Sequence, residues 1–256
     1  CEFTNSPQSN ILVEGNALVT LTKCKISGAT KNGIELSGKS AANVCECEIY
    51  NSKTGVVINN HASALFDSCK ITTNSNDGFL IKSKSTNIIL RSNEISKQLN
   101  GYGISVDNSH IQLISNTFSD NHEGSILMEN CSTVITNNNK FINTDPSPET
   151  GLVQIKKSSK LDSLNDVYEG GAQFAVEVRD KDSEFRGKEI TFKDNLVGFG
   201  IMVCPQSRLT IDSCHFRNIC NCEIGTSVSS DCPVISGSSA FSGCSVSPGS
   251  SIPSNP

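Results

Sequence analysis

Asp107 and Glu129 stand 22 residues apart in a chain of 256. That distance is one period of an internal repeat. If one period is one turn of a coil, the two carboxylates lie on adjacent turns, ~5 Å apart, the separation of the acid and nucleophile in a retaining glycosidase. Lys82 and Lys156 hold the equivalent places on the flanking turns, after Ser37 and Asn59 and before Arg179. Asp107 and Glu129 are therefore candidate catalytic residues. The four residues Lys82, Asp107, Glu129 and Lys156 form a candidate interaction face. The same order of charges is also what a salt-bridge ladder at a turn produces, and no His, Tyr or aromatic sugar platform accompanies the pair in that column.

Other residue types with chemical potential do not converge. The four histidines, His61, His110, His122 and His215, fall in different columns of the repeat. The 12 cysteines include Cys45/Cys47 and Cys220/Cys222, which are Cys-x-Cys pairs with no second knuckle and no nearby His pair, so no zinc site is expected. No cofactor motif is present, and none is expected to bind.

The elements that must position these residues are visible in the repeat. A box of Cys or Asn, a variable residue and an apolar residue opens at Cys1, Cys24, Cys47, Cys69, Asn93, Asn116 and Asn139, at intervals of 22 to 24 residues. It returns at Cys214-His215-Phe216 and, degraded, at Ser239-Ala240-Phe241. Asn165-Asp166-Val167 and Ile190-Thr191-Phe192 fit approximately. About 13 residues before most boxes sits an apolar-x-apolar signal, as in Ile34/Leu36, Val56/Ile58, Phe79/Ile81, Ile104/Val106, Ile126/Met128 and Ile201/Val203. Between the two lies a third alternating piece, as in Ile111/Leu113, Val134/Thr136 and Leu209/Ile211. Alternation over three to five residues marks short strands with one buried face. A period this short cannot hold a four-stranded propeller blade, and no Leu-dense horseshoe pattern is present.

The spacing predicts an all-β fold: a single right-handed parallel β-helix of about ten rungs of 22–26 residues. Residues 1–245 are assigned to the solenoid and 246–256 to a Ser/Pro-rich tail. Because Cys1-Glu2-Phe3 is already a box, the chain is expected to be a piece of a longer protein. The opening Cys/Asn positions should stack as an inner column, with Asn amides bonded up and down it and most cysteines free. The middle box positions, Lys25, Glu48, Lys70 and Glu94, should form an outward ladder of alternating charge.

Units such as NGIELSGKSAANVCECEIYNS, TGVVINNHASALFDSCKITTN and GYGISVDNSHIQLISNTFSDN resemble the right-handed β-helix repeats of the pectin-lyase-like superfamily. They are most similar to the repeats of carbohydrate-binding and sugar-hydrolase type, which also occur in the β-helix domains of an F-box adaptor and an SHC-binding protein. The superfamily's polygalacturonase and pectate-lyase motif sets are missing here. GGAQF at 170–174, with TFSDN and TFKDN, resembles repeats of polymorphic surface membrane proteins.

The resemblance, without those motifs, implies a non-catalytic scaffold that binds a protein partner. Its setting would be the cytoplasm or the cytoskeleton. Two alternatives stand beside it: a carbohydrate-binding or polysaccharide-cleaving protein, and an extracellular adhesin at the cell surface. A net charge of −5 argues against a nucleic-acid partner. No run of 18 apolar residues exists to span a membrane.

Overall fold

The computed structural model describes residues 1–144, 151–170, 173–195, 199–219, 222–226 and 245–247. The chain coils as three strands per turn, and each strand stacks on its equivalent in the next turn. Three parallel sheets result among the described residues: sheet A of 11 strands, sheet B of 10 and sheet C of nine, making about nine complete turns with no helix.

Each sheet turns alternate side chains into one thin core. In sheet B, Ile34, Val56, Phe79, Ile104 and Ile126 stack in register, all fully buried. In sheet A, the box apolar residues form a second column, which becomes aromatic as Phe118, Phe141, Tyr168, Phe192 and Phe216, with successive ring centroids 4.9–5.0 Å apart. Full burial of each such side chain contributes about 1.5–3 kcal/mol. Outside, Lys25 pairs with Glu48 at 3.8 Å and Lys70 with Glu94 at 3.1 Å, so the alternating ladder forms as expected.

The residue before each box sits in the left-handed region: Lys23, Glu46, Ser68, Ser92, Ser115, Asn138, Asn165, Glu189 and Ser213, with φ between 52° and 59°. This turn swings the next residue into the core. It also corrects the reading of the softer stretch. Asn165 is the turn residue, so Asp166 takes the inner slot, Val167 faces outward and Tyr168 stacks inward. The strand pairing with His215–Arg217 is Ser245–Ser247, whereas the box read at 239–241 lies outside the described residues.

The inner column is one continuous hydrogen-bonded ladder. Asn93 Nδ2 donates to Asn116 Oδ1 at 3.0 Å, Asn116 Nδ2 to Asn139 Oδ1 at 3.0 Å, and Asn139 Nδ2 to Asp166 Oδ1 at 3.1 Å. Every donor points the same way along the rod. The backbone amides follow: Asn93 N–H donates to Asn116 Oδ1 and Asn116 N–H to Asn139 Oδ1, at 2.9 and 2.8 Å. Where the column is Cys, sulfur does the same work, with Cys24 N–H donating to Cys47 Sγ at 3.3 Å. No cysteine with a described side chain is joined in a disulfide. Asp166 closes the run, fully buried, accepting also from the hydroxyls of Thr136 and Ser163. Burial holds its carboxyl above the usual range, against those hydrogen bonds.

Candidate functional site

The outer face of sheet B gathers the groups that the repeat leaves without a stacking role. Its strands turn one residue outward between two inward ones. On successive rungs these are Leu80, Ser105, Leu127, Gln154 and Glu177. Asp77 and Tyr102 flank that row where the chain enters the sheet, with Glu123 just before the strand of the next rung. Asp107 and Glu129 flank it where the chain leaves.

Asp77 is held in place. Its Oδ1 accepts the Tyr102 backbone N–H at 2.8 Å, and the Ser105 hydroxyl donates to the same carboxyl group. Gly101 makes room for it, since a Cβ there would sit 2.6 Å from Asp77 Oδ1. Burial pushes the Asp77 carboxyl up, Glu123 adds to the rise, and the two hydrogen bonds oppose it. Tyr102 stands beside it, half-buried. Burial first, and then the carboxylates of Glu123, Asp77, Glu129 and Glu177, push its hydroxyl up to about 12. Glu177, buried three rungs further along the row, has its carboxylate 2.5 Å from Arg179. The described carboxylates act on Tyr102 but do not converge: among the described residues no three His, Cys, Asp or Glu side chains gather as a metal site.

Asp107 and Glu129 are in register on adjacent rungs, as the period implies. Their partners differ from the expected ladder. Asp107 Oδ1 accepts from Asn130 Nδ2 at 2.6 Å, and the cation on Glu129 is Lys157 at 3.1 Å. Lys82 and Lys156 do hold the same column, each donating its backbone N–H to the preceding rung at 2.9 Å. The histidines stay apart. His61 is an exposed turn residue with φ 67°, His110 opens a strand of sheet C, His215 lies on sheet A, and His122 Nδ1 is 3.6 Å from Glu123 Oε1. Asp77, Tyr102, Glu123 and Glu177 were not singled out from the sequence. The usable signal was the residue in front of each strand-opening glycine, as in Asp77-Gly78 and Tyr102-Gly103.

Solved structures share this architecture at low identity. The catalytic unit of a thermostable GH87 α-1,3-glucanase from Streptomyces thermodiastaticus matches with a TM-score of 0.70 at 15% identity, over 95% of this chain and 51% of its own. The chain thus spans about half the length of that glucanase unit. An alginate lyase from Paenibacillus sp. matches with a TM-score of 0.66 at 12% identity, over 89% of both chains. A DFA-IIIase from Arthrobacter chlorophenolicus matches with a TM-score of 0.54 at 9% identity, over 81% of this chain and 64% of its own. No curated protein sequence matches the chain.

These neighbours correct the expectation of a non-catalytic, cytoskeleton-associated scaffold with a protein partner. They are enzymes, two of them named for polysaccharides, and nothing among them supports a structural role. The expectation rested on missing pectin-cleaving motifs, and the glucanase and the alginate lyase are named for other polysaccharides. Among the described residues no helix is long and apolar enough to cross a membrane. The model of the right-handed β-helix region matches residues 9–167, more than half of the chain, and the protein belongs to that family.

Proposed function

We propose that this β-helix is a carbohydrate-active protein that binds a glycan across the outer face of sheet B and cleaves it beside Tyr102. The observation that carries this reading is the placement of Tyr102, with Asp77 on the rung before it accepting its backbone N–H, and Glu123 and Glu129 on the rung after it. Glycosidic cleavage needs one carboxyl group that keeps its proton and another that is ionised. Asp77, raised by burial and oriented by two hydrogen bonds, is the proton donor. Glu123, at the same end of the sheet and near enough to raise Asp77, is the second carboxyl group. Tyr102 stays protonated at neutral pH and can donate to a sugar hydroxyl. Asp107, in register with Glu129, is retained as a substrate-contact candidate at the same edge.

Release of reducing ends from a panel of glycans, with Asp77→Asn and Glu123→Gln compared against the parent chain, tests the assignment. Each change is expected to lower the rate at least ~100-fold while circular dichroism melts stay close to the parent. Undiminished cleavage in Asp77→Asn, or no glycan bound or cut by the parent chain, would refute it.

A further inference from the structure

We propose that Asn100-Gly101 is a self-modifying site, where the asparagine loses ammonia and the main chain beside Asp77 is remade as aspartate or isoaspartate. The reaction stands apart from any glycan chemistry on sheet B and consumes only water. The Gly101 nitrogen bonds to Asn100 Cγ, the Cγ–Nδ2 bond breaks, and ammonia leaves with the Gly101 proton. Water then opens the cyclic imide. Breaking the bond from nitrogen to Cγ leaves aspartate. Breaking the bond from nitrogen to the main-chain carbon leaves isoaspartate, in which the chain runs through Cβ and Cγ. Glycine favours the closure because it has no side chain to crowd the ring.

The chain has two Asn-Gly pairs, Asn32-Gly33 and Asn100-Gly101, and the fold treats them oppositely. Asn32 opens the strand Asn32–Leu36 and pairs with Thr54 on the next rung. Its carbonyl accepts the Asn10 N–H at 3.0 Å, and its Nδ2 donates to Glu35 Oε2 at 2.9 Å. Asn100 is exposed, beside exposed Leu99, in the turn between the strands Glu94–Ser96 and Tyr102–Asp107. Among the described residues no acceptor takes the Gly101 N–H. Closure at Asn32 therefore waits on opening of a strand, whereas closure at Asn100 does not. The product also falls on a close contact. Asn100 Nδ2 donates to the Ser75 carbonyl at 3.0 Å, and either product loses that donor and gains a negative charge. Gly101 lies so near Asp77 that a Cβ would fall 2.6 Å from Asp77 Oδ1 and 2.7 Å from its backbone nitrogen. The extra main-chain atom of isoaspartate displaces Gly101 from this contact, and with it the Tyr102 N–H that donates to Asp77 Oδ1 at 2.8 Å.

Ageing the chain in mildly alkaline buffer, folded and in urea, tests the proposal. Peptide mapping by mass spectrometry follows the exchange of NH2 for OH at each asparagine, and isoaspartyl methyltransferase labels the isoaspartate. In the folded chain Asn100 is expected to be lost at least ~10-fold faster than Asn32, because only Asn32 waits on local opening, and in urea the two rates should converge. Hydrogen exchange of the Tyr102 amide is expected to quicken at least ~10-fold in the aged protein as its bond to Asp77 is lost. Asn100→Gln, aged alongside, should keep both its mass at that position and its slow Tyr102 exchange. Equal loss of Asn32 and Asn100 in the folded chain would overturn the proposal, as would survival of Asn100 through an incubation that consumes it in urea. Unchanged Tyr102 exchange in protein that carries the isoaspartate would overturn the link to Asp77.

Discussion

Replacing Asn116 tests whether the inner column is held by hydrogen bonds or by packing alone. Asn116 Oδ1 accepts from the backbone N–H and Nδ2 of Asn93, and its own Nδ2 donates to the Leu90 carbonyl at 2.8 Å and to Asn139 Oδ1. Leucine is close in size and removes all four bonds. The Asn93 N–H is then buried with no acceptor, at about 1–3 kcal/mol, and three further groups each lose one of their bonds. The expected loss for Asn116→Leu is about 3–5 kcal/mol.

Cysteine should cost much less, because the same slot is already cysteine on earlier rungs. There Cys47 Sγ accepts the Cys24 N–H, and Cys69 Sγ donates to the Val44 carbonyl at 3.5 Å, the counterpart of Leu90. Asn116→Cys loses only the two amide-to-amide bonds, about 1–2 kcal/mol. Urea unfolding followed by circular dichroism, comparing midpoints of the two variants, measures the difference. A leucine variant as stable as the cysteine variant would refute the hydrogen-bond reading of the column.

Other expectations follow from the same geometry. Asp166 is raised by burial, so the fold favours its protonated form; its contribution is complete below the unfolded carboxylate value, about 4, and is lost as pH rises through the folded value. Thermal melts across pH should show Asp166→Asn losing less stability than the parent as pH climbs out of that range. Ile104→Asp places an unpaired charge in the core and should cost about 4 kcal/mol, whereas Lys25→Asp, on the outward ladder, should cost under about 1 kcal/mol. Equal melting of the two would reverse the assignment of inner and outer faces. Gly78→Ala sets a Cβ 2.6 Å from the Gly103 carbonyl oxygen of the next rung and should cost about 2 kcal/mol by denaturant melts.

The solenoid was legible because a coil repeats its physics. Ile34, Val56 and Phe79 recur at one spacing since each must reach the same core, and the Cys/Asn box recurs since each rung needs an acceptor at the same point. The turn before the box was not legible. It is left-handed at Lys23, Glu46 and Ser68, residue types that carry no signal for that conformation, and so the slot at Asp166 was read one residue early. Asp107 and Glu129 were found because they share a register. Asp77 and Tyr102 share one too, but Glu123 is a residue out of it, and only folding shows that both carboxyl groups act on the Tyr102 hydroxyl. The function was misjudged because missing motifs were taken for missing chemistry.

The one-way order of the amide ladder limits how such a chain can grow. A rung carrying Asn in the inner slot offers a donor to one neighbour and an acceptor to the other, so a second copy can be spliced beside it with every bond remade. A Cys rung can do the same, since its thiol answers the same amide. The rung of Asp166 cannot be copied in this way. A carboxyl group has no Nδ2–H to pass to the next rung, so two placed in succession would have only a backbone N–H between them and would have to share a proton or oppose like charges. The next slot is Ile190, fully buried, which offers neither donor nor acceptor. Asp166 is thus a terminator of the amide run: duplication of rungs has open sites on its Asn and Cys side and is disfavoured at the junction itself, and a designer lengthening this rod would cut between Asn93 and Asn139.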